Sequence, residues 1–194
     1  MNFLESETIK NLARSYASEC QDGARYQFLA QTAMQEGLQQ LQSMVKTIAK
    51  EEMAHAKIFW DIIVEKTGGK TDNIEICAGF PFRYGNLIEQ IKATRDIERS
   101  ENTSVYPAFA KIAEDEGFMD IAETFKKVAV VENCHHLLLD QFYNMLNSGT
   151  MYKQEKEYKW KCGHCGHEGE GKSAWKVCPL CKLEQGYVQI PVNK

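Results

Sequence analysis

Glu52-Met53-Ala54-His55 sets a carboxylate and an imidazole three residues apart, and Glu132-Asn133-Cys134-His135 repeats the arrangement. On a helix, residues so spaced share a face. Both pairs lie within apolar stripes: Leu38, Leu41, Val45, Ile48, Glu52, His55, Phe59, Ile62, and Ile121, Phe125, Val128, Glu132, His135, Leu139, Phe142, Leu146. A stripe of that period faces a core, where an ionisable group is costly unless something neutralises it. One explanation serves both copies, a bound metal. Glu19 and Glu98 add a single inward carboxylate each, 33 and 34 residues before Glu52 and Glu132. Carboxylates and imidazoles together suit iron or manganese, and two shared carboxylates would hold a pair of ions. Four unrelated buried polar groups with private hydrogen bonds is the competing account; two copies in register argue against it.

Glu101 breaks the symmetry. It follows Glu98 by one turn on the same face, whereas its counterpart after Glu19, Asp22, falls off the first helix's stripe. An extra inward carboxylate lets one ion exchange ligands, as a catalytic site would. Tyr26 and Tyr106 are also expected to face inward, placed to hydrogen-bond ligands or substrate.

A second constellation occupies the C-terminal part: Cys162-Gly163-His164-Cys165 and Cys178-Pro179-Leu180-Cys181, with 12 residues between the pairs. Two such knuckles predict tetrahedral thiolate ligation of one iron or zinc. His164 and His167 are available donors, but four cysteines complete the tetrahedron. The other cysteines, Cys20, Cys77 and Cys134, are expected as small apolar packing in a reducing compartment; a total of seven fits a disulfide framework poorly.

The elements that must position these residues are four helices, over about 5–36, 38–66, 86–116 and 118–147. Glu36-Gly37 and Glu116-Gly117 break each hairpin, and an irregular crossover spans 70–85. The third helix carries Leu87, Ile91, Thr94, Glu98, Glu101, Val105, Phe109 and Ile112 inward, with Pro107 costing a backbone hydrogen bond inside it. Two helical hairpins joined by a long crossover make a mainly α protein, a ferritin-like four-helix bundle over residues 1–150, followed by a small metal-binding unit over 151–194 whose cysteine pairs resemble those of rubredoxins, a rubredoxin-like domain. A net charge of −4 without a basic stripe argues against nucleic acid, and no apolar run is long enough for a membrane span. The N-terminus shows no signal peptide, so a cytoplasmic protein is expected.

Taken together, the motifs resemble those of rubrerythrins over essentially the full length. The matching segments are Ser18-Glu19-Cys20-Gln21 with Arg25-Tyr26, and Glu52-Met53-Ala54-His55-Ala56-Lys57. With them go Glu98-Arg99-Ser100-Glu101, Tyr106-Pro107-Ala108-Phe109-Ala110, Glu132-Asn133-Cys134-His135 and the two cysteine pairs. The resemblance implies a peroxidase that reduces hydrogen peroxide to water with two non-haem iron ions. It implies that Glu52 and Glu132 bridge the irons, that Glu19 ligates one with either His55 or Glu101 according to oxidation state, and that Glu98 and His135 complete the other. Tyr26 and Tyr106 match tyrosines beside the family's ligands. The four-cysteine site would hold one iron, with zinc as the alternative, and relay electrons from rubredoxin or an NAD(P)H-dependent reductase. A homodimer is implied, with helix exchange between subunits as one form of it. His167 stands where the family usually has an aromatic residue, and Ser173-Ala174-Trp175-Lys176 where a proline is common.

Two other functions use the same residues. A ferroxidase or oxygen reductase would use the bundle alone, and a non-enzymatic binding module would use a zinc ribbon.

Overall fold

A computed structural model of the 194-residue chain describes residues 2–71, 73–83 and 85–192. Asp72 and Tyr84 of the predicted crossover lie outside the described residues, as do Met1, Asn193 and Lys194. Helices α1 (Glu7–Gln35) and α2 (Gln39–Thr67) form the first hairpin. The second is α3 (Leu87–Ser100), a π segment (Glu101–Val105) and α4 (Tyr106–Asp115) packed against α5 (Met119–Ser148). Strands β1 (Lys153–Lys161) and β2 (Glu168–Ser173) pair antiparallel in the tail. No helix among the described residues is long and apolar enough to cross a membrane.

The third helix departs from the sequence reading, which made it continuous. Five residues of π helix interrupt it at Glu101, and the wider turn carries one residue more than an α turn would. The inward stripe therefore advances by one position: Tyr106, Ala110 and Ala113 are buried, whereas Val105, Phe109 and Ile112 are only half-buried. Pro107 consequently falls in the first turn of α4, where a missing N–H is tolerated. The extra residue is also visible in the repeat. Glu19 precedes Gly37 by 18 residues but Glu98 precedes Gly117 by 19, while each glycine precedes its Glu-x-x-His glutamate by 15.

Two apolar clusters fill the bundle. One includes Tyr26, Leu29, Leu41, Val45, Ile91 and Phe142; the other includes Leu12, Phe59, Tyr106, Ile121 and Phe125. The charged residues of the stripes form a polar layer between them.

Helix α1 is tied to the far turn. Ser6 caps it by accepting from the Ile9 N–H, and Glu116 accepts from the N–H groups of Glu7 (2.9 Å) and Thr8 (2.8 Å). A carboxylate there satisfies orphan donors and opposes the helix dipole. Burial works against the charged form, but the Thr8 hydroxyl and these two N–H groups hold Glu116 below its ordinary 4.5. Its contribution is therefore whole above that value and is lost as pH falls through the lower, folded one. Glu116→Gln is expected to lower stability at pH 7 by about 1 kcal/mol. The gap to the parent should narrow as both are acidified, and thermal unfolding at pH 7 and pH 3 checks it.

The tail rests on the α1–α2 turn. Met151 and Ile190 join the nearer apolar cluster, and Gly186 passes so close to Gly37 that a Cβ on it would lie 1.7 Å from the Gly37 carbonyl oxygen. Backbone cannot yield to that overlap. Gly186→Ala is expected to lift the tail from the turn at a cost of about 1–3 kcal/mol, seen as faster proteolysis after Ser148; a parental digestion rate would refute the contact.

Candidate metal centres

Helices α1, α2, the third rod and α5 each turn ionisable side chains into the polar layer, because the stripe that buries leucines and phenylalanines also carries Glu19, Glu52, His55, Glu98, Glu132 and His135. All six are buried. They fall into two groups of four, Glu19–Glu52–His55–Glu132 and Glu52–Glu98–Glu132–His135, whose donor atoms lie within 4.8 Å of one another. Glu52 and Glu132 belong to both.

The spacing is that of a coordination polyhedron more than of hydrogen bonding. Nδ1 of His55 lies 3.0, 3.2 and 3.4 Å from oxygens of Glu132, Glu52 and Glu19. Nδ1 of His135 lies 2.9, 2.9 and 3.6 Å from Glu52, Glu132 and Glu98. One ring N–H can serve one acceptor well. Donors about 2.1 Å from a shared cation and at right angles would sit about 3.0 Å apart. In keeping with this, Oε1 of Glu52, Oε2 of Glu98 and Oε1 of Glu132 are buried without a hydrogen bond among the described residues. The residues fit a pair of cations.

Several of these groups favour their protonated forms. Burial pushes Glu98 up to about 8 and raises Glu19 and Glu101 well above the ordinary carboxylate range. Burial opposes charge on His55, but Glu132, Glu19 and Glu52 lift it to about 12. Burial likewise opposes charge on Glu52, yet His135 and His55 bring it down to about 2. Metal entry must therefore release protons.

Both tyrosines reach the layer, one from each apolar cluster. Tyr26 donates to Glu98 Oε1 (2.6 Å), and Tyr106 donates to Glu19. Burial raises both phenols well above 10, so they stay protonated donors. Glu101 is buried at the head of the π segment but belongs to neither group of four; its Oε1 accepts from Ser18 Oγ at 3.0 Å.

Several residues here were not found from sequence. Asp22, discounted as off-stripe, is 2% exposed and pairs with Arg25, which the i, i+3 spacing could have indicated. Glu51 lies 3.0 Å from Nε2 of His135, leaving Nδ1 to face the carboxylates. Cys77 and Cys134 are exposed, so the expectation that they are packing residues fails; Cys20 is half-buried.

In the tail, Cys162, Cys165, Cys178 and Cys181 converge. Sγ atoms of Cys162 and Cys181 are 3.8 Å apart, and those of Cys165 and Cys178 3.7 Å. A disulfide needs about 2.05 Å, whereas four sulfurs each about 2.3 Å from one ion span about 3.8 Å edges. The knuckles are near copies: Gly166 N–H donates to Cys162 O and Lys182 N–H to Cys178 O, both at 3.0 Å, with Gly166 and Lys182 both at positive φ. Burial works against ionising Cys178, but the Cys181 and Leu180 N–H groups hold it down at about 6. His164 packs on Tyr187 and His167 on Trp175, so neither joins the thiolates.

The family model described as rubrerythrin matches residues 10–143. A rubrerythrin of Clostridium perfringens is 31% identical over 186 residues, 95% of this chain and 94% of that protein. Rubrerythrin-1 of Clostridium acetobutylicum is 35% identical with the same coverage, and a rubrerythrin of Porphyromonas gingivalis is 35% identical over 95% of this chain and 90% of its own. Among solved structures, the fully reduced, all-ferrous state of nigerythrin shares the fold with a TM-score of 0.63 and 21% identity, covering 98% of this chain and 93% of that one.

Proposed function

The chain belongs to the rubrerythrin family, and on that premise we propose that it reduces hydrogen peroxide to water at a pair of non-haem irons. Rubrerythrins are redox enzymes, and a carboxylate–imidazole layer of this kind is a di-iron-type site. Glu52 and Glu132, shared by both groups of donors, would be available to both ions, with Glu19 and His55 holding one and Glu98 and His135 the other. Two ferrous ions held there would supply the two electrons that turn one peroxide and two protons into two waters. The chain's own residues do the rest. Tyr26 and Tyr106 orient Glu98 and Glu19 by donating to them, and the two apolar clusters keep bulk water from the layer. The observation that carries the reading is Glu101, a buried carboxylate beside both groups yet in neither. A purely structural site has no use for a reserve ligand.

The four cysteines, in residues 151–194, would hold one iron, whose one-electron chemistry would serve the layer in residues 1–150. Gly37 of the α1–α2 turn, which meets the tail, lies 15 residues before Glu52, roughly 22 Å at a helical rise. A homodimer that sets one subunit's tail beside its neighbour's layer shortens that path. The donor is a rubredoxin-type protein or an NAD(P)H-dependent reductase, in the cytoplasm, where thiolates stay reduced.

The test is anaerobic reduction of iron-loaded protein, then rapid mixing with peroxide or with oxygen while following ferric-thiolate absorbance. Fast return of colour with peroxide and slow return with oxygen is expected. Faster return with oxygen would favour the oxygen reductase, and a colourless tail carrying zinc would remove the relay.

A further inference from the structure

A substrate needs a path from solvent to the carboxylates. A cavity of about 300 Å3 lies between α1, the π segment and residues 78–81 of the crossover, and its wall includes Glu101 and Tyr106. Two other cavities, each of about 470 Å3, touch none of the ligand residues.

The wall of the smaller cavity carries polar groups that packing of the bundle does not explain. Ser15 is 1% exposed and its hydroxyl has no hydrogen-bond partner among the described residues, an expensive arrangement unless a visitor completes it. One turn on, Ser18 Oγ lies 3.0 Å from Glu101 and 3.3 Å from Asp22, whose other oxygen is taken by Arg25. A hydroxyl has one proton, so Ser18 serves one carboxylate at a time.

We propose that this cavity is the entry and docking site for hydrogen peroxide, with Ser15 and Ser18 as its hydrogen-bond partners. The identity of the substrate rests on the peroxidase reading. Peroxide both donates and accepts, and it meets hydroxyls that do both beside carboxylates that, when ionised, only accept. A peroxide that takes over the Ser18 hydroxyl also removes the bond that holds Glu101 away from the two donor groups. Arrival of substrate and release of the reserve ligand become one event.

Gly79 lines the cavity, and a Cβ built on it meets nothing within 4 Å. Gly79→Phe therefore places bulk at the entrance from a position whose Cβ is unobstructed, and its thermal stability is compared with the parent's. The full iron-loaded chain is used, with KM and kcat measured for hydrogen peroxide and for tert-butyl hydroperoxide. Azide affinity of the oxidised protein is followed by absorbance. Ser15→Ala and Ser18→Ala are each expected to raise KM for hydrogen peroxide and weaken azide about fivefold, with kcat falling less. Ser15→Ala should keep or raise thermal stability, since it deletes an unpartnered hydroxyl. Gly79→Phe should raise KM more for the bulkier hydroperoxide. Parental KM and azide affinity in all three variants would overturn the docking site. Weakened azide binding in variants of a protein that never turns over peroxide would support the cavity and overturn the peroxidase reading.

Discussion

Glu52→Ala is expected to strip the bundle of both ions while leaving the thiolate site intact. Glu52 is common to the two donor groups, so its removal takes a ligand from each. It also sits within 3.2 Å of Nδ1 of His55 and 2.9 Å of Nδ1 of His135, whose rings stack 6.0 Å apart. Without it, two buried imidazoles that favour the charged form lose a shared counter-charge. Breaking a buried pair of this kind costs about 3–5 kcal/mol, so the metal-free variant should melt well below the metal-free parent. Metal analysis after iron loading should fall from three ions per chain to one. Two ions retained in the bundle with parental affinity would refute the shared role.

Glu101→Ala should behave in the opposite way. Since Glu101 stands outside both groups and is held by Ser18, its loss should leave ion content unchanged and stability close to parental. Peroxide turnover should fall by about 10²-fold or more, the usual scale for a positioned acid–base or exchanging group. The comparison separates two roles that burial alone does not, for Glu52 and Glu101 are both nearly inaccessible. Unchanged turnover in a fully loaded Glu101→Ala protein would remove the residue from the mechanism.

Much of this site was legible because a helix has one period and a bundle one interior. Once Glu52 and His55 fall on the stripe that carries Leu41, Val45 and Phe59, they are committed to the core whatever the rest of the chain does. The same holds for Glu132 and His135, and the cysteine pairs needed only their spacing to converge. Asp22 and Glu51 escaped notice for the converse reason. They sit at the margins of their stripes, where a partner and not the apolar period decides their role. Arg25 of the same helix pairs with Asp22, and His135 of α5 reaches the exposed Glu51.

The amino-acid sequence by itself determined four helices, the donors on their inward faces and the thiolate tetrahedron, since all follow from local periodicity and spacing. Tertiary structure alone decided where Glu101 points and which residues follow it inward. The extra residue between Glu98 and Gly117 had to be absorbed somewhere, in the turn or in the helix. Packing of α3 and α4 against the one continuous α5 placed it in a π turn at Glu101. That choice rotated Tyr106 onto Glu19, left Pro107 with no hydrogen bond to break, and opened the wall beside Ser18. Such a choice is a competition between whole-helix contacts, and no window of sequence contains both competitors.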